Sequence, residues 1–133
     1  MRTTLFIVAT ALAIGCALPT IAQDRAIGVT PDEIEWRDHW AVLNGDPAKT
    51  GPYVLRIEVP PNDITPPHTH PQAEHVTVIS GSIGFGLGAV FDRSKGRVLP
   101  AGSYLYLPAN TPHFAWTGAD GAVIQAHGNG PFP

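Results

Sequence analysis

The sequence predicts an all-β protein, an antiparallel sandwich or barrel preceded by one short helical turn. Fourteen prolines and fourteen glycines among 133 residues leave no room for a long helix. Short apolar runs alternate with turn-forming segments, and the run over residues 53–59 is apolar at every second position. Together these observations argue against a helical bundle and favour sheets with one buried face.

Residues 1–22 are predicted to be a secretory signal peptide. They contain a single basic residue, an apolar run over residues 5–18 and small residues up to Ala22. Cleavage there would give a mature protein that begins at Gln23 and lies in the periplasm or outside the cell. The alternatives are a retained membrane anchor and lipidation at Cys16, but the apolar run is shorter than the ~20 residues that span a bilayer.

Residues 23–133 are predicted to form one domain, because this length supports one compact core and not two. The whole chain has eight Lys and Arg against eleven Asp and Glu, and its formal net charge is −3. Nucleic-acid binding needs a concentrated basic face, so nucleic acid is not an expected partner. The only cysteine lies in the signal peptide, so the domain is expected to depend on its core or on a bound metal.

The helical turn is predicted at "TPDE", where Thr30 can cap the turn, Pro31 suits its first position and Glu33 can reach back. The predicted strands after it are "YVLRIEV", "HVTVIS", "IGFGLGAVF", "SYLYL", "HFAW" and "AVIQAH". The predicted turns are "NGDPAKTGP", "PPND", "SGS", "DRSKG", "PAG" and "PANTP".

The strand "YVLRIEV" shows the clearest alternation of apolar and polar residues. Arg56 and Glu58 share one of its faces. The face predicted to be buried contains Tyr53, Leu55, Ile57 and Val59.

A cluster of histidines precedes the next apolar run. His68 and His70 are two positions apart, so in an extended segment they point the same way with their Cα atoms ~6.5 Å apart. Glu74 opens the following strand, where a carboxylate is costly to bury unless it is paired or bound to a cation. His113 begins a later strand and is the natural fourth ligand. The pattern predicts a metal site formed by these four residues.

Two motifs resemble those of the cupin superfamily. "HTHPQAE", followed by six residues and Gly81, fits the first motif, and "GSYLYLPANTPH" resembles the second, with Asn110 where glycine is usual. Thr117 replaces the asparagine that ends the second motif, a position that does not bind metal. The resemblance to a small single-domain bacterial cupin implies a cupin-type double-stranded β-helix, or jelly-roll barrel. It also implies that the metal ligands are His68, His70, Glu74 and His113.

One divalent transition metal ion per chain is the expected cofactor. Three neutral imidazoles and one carboxylate suit Fe, Mn, Ni, Cu, Co or Zn, and the sequence does not choose among them. The resemblance implies a metal-dependent oxygenase or oxidase acting on a small organic molecule, with isomerase or lyase chemistry as a variant. The alternatives are a non-catalytic periplasmic binding protein for a metal or small ligand, and a cupin whose ion only stabilises the fold. No catalytic residue is predicted beyond the ligands.

Other polar and aromatic residues are given supporting roles. His75 has the opposite parity to Glu74 and is expected outside the barrel or behind the ligands, while His39 is expected to be structural or at the surface. His127 has the same expectation, although it shares a face of the last strand with Gln125 and the two are candidates for the pocket lining. The candidates for the apolar walls are Phe85, Tyr104, Phe114 and Trp116.

The expected partners are a small-molecule ligand or substrate and a second copy of the chain. A small barrel exposes sheet edges and a broad apolar face, so a homodimer is predicted. No membrane contact is expected once the signal peptide has been removed.

Overall fold

The computed structural model describes residues 26–132, and this part of the chain contains seven antiparallel β-strands and two 3₁₀ turns. The predicted signal peptide lies outside the described residues. Within residues 26–132, no helix has the length and apolar character needed to cross a bilayer. The all-β prediction is confirmed. The strands are β1 (Trp40–Asn44), β2 (Gly51–Val59), β3 (Ile64–His68), β4 (Glu74–Leu87), β5 (Gly96–Pro100), β6 (Tyr104–Leu107) and β7 (His113–Gly130).

Strands β4 and β7 each bend so that they belong to two sheets. The first sheet has the order β1-β2-β7-β4-β6, and the second has the order β3-β7-β4-β5. Gly81 of β4 (φ 68°) and Gly121 of β7 (φ 63°) allow the bends, and a Cβ at Gly81 would collide with the carbonyl oxygen of Gly121. The two sheets enclose a cavity between them, which confirms the predicted jelly-roll barrel.

Both long strands were predicted as two shorter ones, and both predicted breaks were wrong. The segment "SGS" is the bend inside β4, and the break predicted between "HFAW" and "AVIQAH" lies inside β7. A glycine bends each strand without ending its pairing, because β4 and β7 remain partners on both sides of the bend. Three short strands at sheet edges, β1, β3 and β5, were not among the predicted strands.

The predicted helical turn is present as a 3₁₀ turn at Pro31–Glu33. The carboxylate of Glu33 accepts hydrogen bonds from the backbone N–H of Thr30 at 2.7 Å and from its hydroxyl at 2.9 Å. This is the reaching-back contact that the motif predicted. All three residues of the turn are exposed, so the turn adds nothing to the core.

Strand β2 has the predicted alternation. Tyr53 and Leu55 are 2% and 1% exposed, and the two apolar residues that follow on the same face line the cavity. On the opposite face, Arg56 Nε donates to Gln125 Oε1 of β7 at 3.3 Å. The inner face of β2 is therefore one wall of the cavity.

Thr117 ties β7 to the loop after β2. Its side chain is buried, and its hydroxyl donates to the carbonyl of Pro60 at 2.6 Å and accepts from the backbone N–H of Asp63 at 2.9 Å. We expect Thr117→Val to lower the free energy of unfolding by about 2 kcal/mol, because two part-buried backbone groups lose their partner. Urea denaturation measures the loss, with Thr50→Val at an exposed position as the control. Equal stability of the two variants would contradict this role.

Candidate metal centre

The four predicted ligands meet at one end of the space between the sheets. His68 of β3 and His113 of β7 are paired across the second sheet, and His70 follows β3. Glu74 is the first residue of β4 and reaches the same point from the first sheet, where it pairs with Gly128. One ring nitrogen from each histidine lies within 4.8 Å of the others. His70 Nε2 is 3.5 Å from Glu74 Oε2.

Backbone carbonyls orient two of the three imidazoles. His68 Nδ1 lies 2.8 Å from the carbonyl oxygen of Pro66, and His113 Nδ1 lies 2.9 Å from that of Thr111. A carbonyl acceptor requires the proton on Nδ1, so the Nε2 lone pairs of both rings are free for a cation. His70 Nδ1 is a buried atom with no hydrogen-bond partner, and the ring turns Nε2 towards the carboxylate. This donor set fits one divalent transition metal ion.

Burial favours the uncharged form of each titrating group at the site. It raises the pKa of Glu74 to about 7. Burial, followed by the neighbouring His68 and His113, lowers the pKa of His70 to about 4, and burial also lowers the pKa of His113. His70 and His113 are therefore neutral and able to donate lone pairs at neutral pH. Among the described residues, no lysine or arginine forms a salt bridge with Glu74, so a bound cation would compensate its buried charge.

The loop before β7 is fastened to the backbone of a candidate ligand. Asn110 has the left-handed φ of 58°, as expected for the residue that replaces glycine in the second motif. Its backbone N–H donates to the carbonyl of His70 at 2.7 Å. This bond fixes the segment that leads into β7 against the segment that carries His70.

An aromatic wall stands beside the candidate ligands. The ring of Phe132 stacks on His70 with a centroid distance of 5.0 Å, and it also contacts Tyr53 at 5.4 Å and Trp40 at 5.9 Å. The backbone N–H of Phe132 donates to the carbonyl of Pro47 at 2.6 Å, which fixes the end of the described chain there. Trp40 and Phe132 were not predicted at the site because neither belongs to a motif.

We expect Phe132→Ala to lower the free energy of unfolding by about 1–2 kcal/mol, because a half-buried ring is removed from three aromatic neighbours. Metal should also be lost faster to a chelator, since the imidazole of His70 loses the ring that restricts it. Phe132→Leu keeps apolar contact and is the matched control, expected to retain most of the stability. Thermal melting and chelator competition measure both effects, and no change in either would show that the wall does not support His70.

A cavity of about 450 Å³ extends from the candidate ligands between the two sheets. Phe85 lines it, as predicted. The prediction for Phe114 and Trp116 was wrong: they face away from the cavity and stack on each other with centroids 6.1 Å apart. Alternate residues of a strand face opposite sides, so these two cannot share the inward face of His113 and Ala115.

The remaining predicted residues lie on the outer face of the first sheet. The hydroxyl of Tyr104 is 2.6 Å from Nδ1 of His75, whose ring stacks on His127 at 4.9 Å. Tyr104, Gln125 and His127 therefore do not line the cavity, and the predictions that placed them there were wrong. His75 lies outside the barrel, which was one of its two predicted positions. His39 is exposed at the surface.

The fold and the site define a class of protein: a small jelly-roll barrel with three histidines and a buried glutamate at one end of an apolar cavity. The family model for the Cupin domain matches residues 55–124, more than half of the chain. This chain belongs to the cupin family.

A curated relative supports this membership over part of its length. The putative germin-like protein 2-2 of Oryza sativa subsp. japonica is 35% identical over 80 residues, which are 57% of this chain and 36% of that protein. The chain spans about a third of the length of the curated relatives it matches.

Two solved structures have the same barrel. KdgF from Halomonas sp. superposes with a TM-score of 0.60 at 18% identity, covering 82% of this chain and 96% of that one. At this identity the likeness concerns the fold alone. Oxalate oxidase superposes with a TM-score of 0.52 at 26% identity, covering 62% of this chain and 44% of that one.

Proposed function

We propose that this chain is an exported metal-binding cupin that acts as a divalent-metal-dependent oxygenase or oxidase on a small organic molecule held in the barrel. The observation that carries the proposal is the convergence of three histidine nitrogens within 4.8 Å, beside a buried glutamate, at the end of a cavity. The likeness to oxalate oxidase supports oxidase chemistry on this fold.

Each of the four side chains has a distinct part in this function. His68, His70, Glu74 and His113 would hold one ion of Fe, Mn, Ni, Cu, Co or Zn, and that ion would supply redox or Lewis-acid chemistry when bound. The carbonyls behind His68 and His113 keep their Nε2 atoms directed at one point. Glu74 supplies the single negative charge of the set once it has lost its proton. The apolar walls exclude water and hold the organic molecule against the ligands.

A non-catalytic periplasmic protein that binds a metal or small ligand is the second candidate. Apart from the four candidate ligands, the polar groups that line the cavity are the hydroxyls of Thr65 and Thr69 and the indole N–H of Trp40. Within residues 26–132, no separate carboxyl, imidazole or amine therefore faces a bound molecule as a general acid or base, which favours binding over chemistry that needs proton transfer. Isomerase or lyase activity would have to use Glu74 for that transfer.

Metal analysis of protein purified without added metal, followed by oxygen-uptake screening, tests the proposal. The screen covers small phenols, diketones and organic acids, with His113→Ala as the metal-poor control. We expect oxygen uptake that depends on the native metal and is lost in His113→Ala. Tight binding of a ligand without oxygen uptake or product would contradict the oxygenase and support the binding protein.

Export is part of the proposal and is tested at the N-terminus. Protein recovered from the periplasm or the medium should begin at Gln23. Soluble cytoplasmic protein that retains Met1 would contradict export.

A homodimer is also proposed, through the outer face of the first sheet. Tyr104 and Tyr106 are 59% and 50% exposed there, and Ile79 of the neighbouring strand is 41% exposed. We expect light scattering to give twice the chain mass, and Tyr106→Glu to shift the protein towards monomer because it places a charge in the apolar contact. A monomer mass for the unmodified protein at high concentration would contradict the dimer.

A further inference from the structure

We propose that the barrel takes a mainly apolar molecule with one monoanionic oxygen-chelating group, such as an enolised diketone or a catechol, in preference to a small dianionic acid. The chelating group of the ligand is inferred from the proposed function, and its apolar part is inferred from the lining and volume of the cavity. The inference therefore names the class of substrate or ligand that the proposed function leaves open.

The polar and apolar parts of the cavity are separated. Its polar lining consists of the four candidate ligands, Thr65, Thr69 and Trp40, whose indole carries one N–H donor. Among the residues that the structure describes, no lysine, arginine or second acidic residue contributes to it. The two sheets supply the apolar walls, which include Val76, Leu105 and Ile124 from the first and Ile83 and Leu99 from the second.

The volume of the cavity indicates that its apolar part binds part of a ligand. A volume of about 450 Å³ falls within the range of pockets that bind small organic molecules, and it far exceeds the share of one or two waters beside an ion. Water in such an apolar space makes few hydrogen bonds, so an apolar body gains affinity by displacing it. A ligand would place its polar end at the histidines and its apolar body between the sheets.

Charge balance at the metal end selects a monoanion. The three imidazoles are neutral ligands and Glu74 carries one negative charge, so a divalent ion would leave a single positive charge. One monoanionic chelating group neutralises it. A dianion would leave a buried negative charge, and none of the described residues that line the cavity is a lysine or arginine that could pair with it, which is costly in an apolar environment.

Chelating probes test the preference in the intact protein loaded with Zn²⁺, whose metal content is measured first. Calorimetry compares benzohydroxamate, acetohydroxamate and oxalate. Benzohydroxamate should bind at least about tenfold more tightly than acetohydroxamate, since its ring is buried. Oxalate should bind most weakly. Equal affinity of the two hydroxamates, or tightest binding of oxalate, overturns the inference while leaving the metal site in place.

Filling the cavity gives a second test of the same inference. Ala115→Leu should lower benzohydroxamate affinity at least about tenfold and change acetohydroxamate affinity by less than about twofold, because only the apolar body meets the new side chain. Val59→Phe, from the opposite sheet, should act in the same way if Ala115→Leu does not fold. Ala119→Leu adds the same atoms at an exposed position and is the control.

A metal-free arm separates failure of this inference from failure of the proposed function. Indole has no chelating group, and it should bind the metal-free protein and the Ala119→Leu variant but not Ala115→Leu. Absence of indole binding in the unmodified protein overturns the apolar site. Unmodified protein that takes up no Zn²⁺ overturns the proposed function instead, and with it the chelating end of the ligand.

Discussion

His70→Ala and His113→Ala are each expected to lower metal affinity by more than about 100-fold. Loss of a residue that only orients a ligand costs 10–100-fold in known metal sites, and these substitutions remove a donor atom itself. His113 is 5% exposed and its Nδ1 lies 2.9 Å from the carbonyl oxygen of Thr111, so its removal leaves a buried gap at the site. His70 supplies the nitrogen nearest to the carboxylate of Glu74.

His75→Ala is the matched control for these variants. His75 is next to Glu74 in sequence, but its ring lies outside the barrel, where it contacts Tyr104 and His127. The His75→Ala variant should therefore retain most of the metal. Competition with a chelator of known affinity and metal content after purification measure all three variants. Equal metal content in His75→Ala and His70→Ala would mean that the wrong histidine has been assigned to the site.

Glu74→Gln is expected to stabilise the metal-free protein at pH 8 by about 3 kcal/mol. Burial raises the pKa of Glu74 from 4.5 to about 7, so the buried charged form is the unfavourable one. The pKa of Glu74 in the folded state lies above its value in the unfolded state. The protonated carboxyl therefore makes its full contribution to the free energy of unfolding below pH 4.5, and this contribution is lost as the pH rises to about 7. The amide of the variant never ionises and does not show this loss.

The pH dependence of this difference distinguishes the buried charge from other effects. The gain from Glu74→Gln should fall to about 1 kcal/mol at pH 5, where much of the penalty has disappeared. His70, whose pKa is lowered to about 4, makes the protein less stable as the pH falls from 6.5 towards 4, but it does so in both proteins. Urea denaturation at both pH values in the presence of a chelator measures the difference. A gain that is the same at pH 5 and pH 8 would contradict the explanation.

Bound metal should make the wild type more stable than Glu74→Gln, which is the reverse of their order without metal. The wild-type carboxylate loses its proton when it binds the ion, and a metal at 1,000 times its dissociation constant stabilises the fold by about 4 kcal/mol. Glu74→Gln keeps an oxygen donor but not the charge, so it gains less from the same metal concentration. A melting temperature of the wild type that does not change between its metal-free and metal-loaded forms would contradict metal binding at this site.

The sequence predicted the fold class, because turn spacing and alternation are local signals. The structure brings His68, His70 and His113 together with Glu74 beside His70, as the motif spacing indicated, and metal binding by these four residues stays a prediction. The sequence did not predict the bends in β4 and β7, because a glycine that bends a strand has the same local appearance as one that ends it. Trp40 and Phe132 were missed for a related reason. They meet only when the two ends of the described chain come together, and no local pattern records that contact.

Some errors about side-chain direction were avoidable. His113 and Phe114 are adjacent in one strand, so an inward histidine requires an outward phenylalanine, and the same parity applies to Trp116. The positions of Gln125 and His127 were not accessible in this way. Whether these two side chains face the cavity or the outside depends on how β7 bends and pairs with β2, and this pairing exists only in the folded sheet.

Because β7 belongs to both sheets, it affects the order in which the parts of the barrel fold. This strand brings His113 to the site, and its pairing partners β2 and β3 come much earlier in the chain. Pairing between distant segments is slow, since the intervening loop must close before any contact forms. His68, His70 and Glu74 leave the ribosome together, but the set of four exists only after β7 has docked along both sheets. We therefore expect uptake of an ion with full affinity to be a late event, with a rate that reports the completion of the barrel.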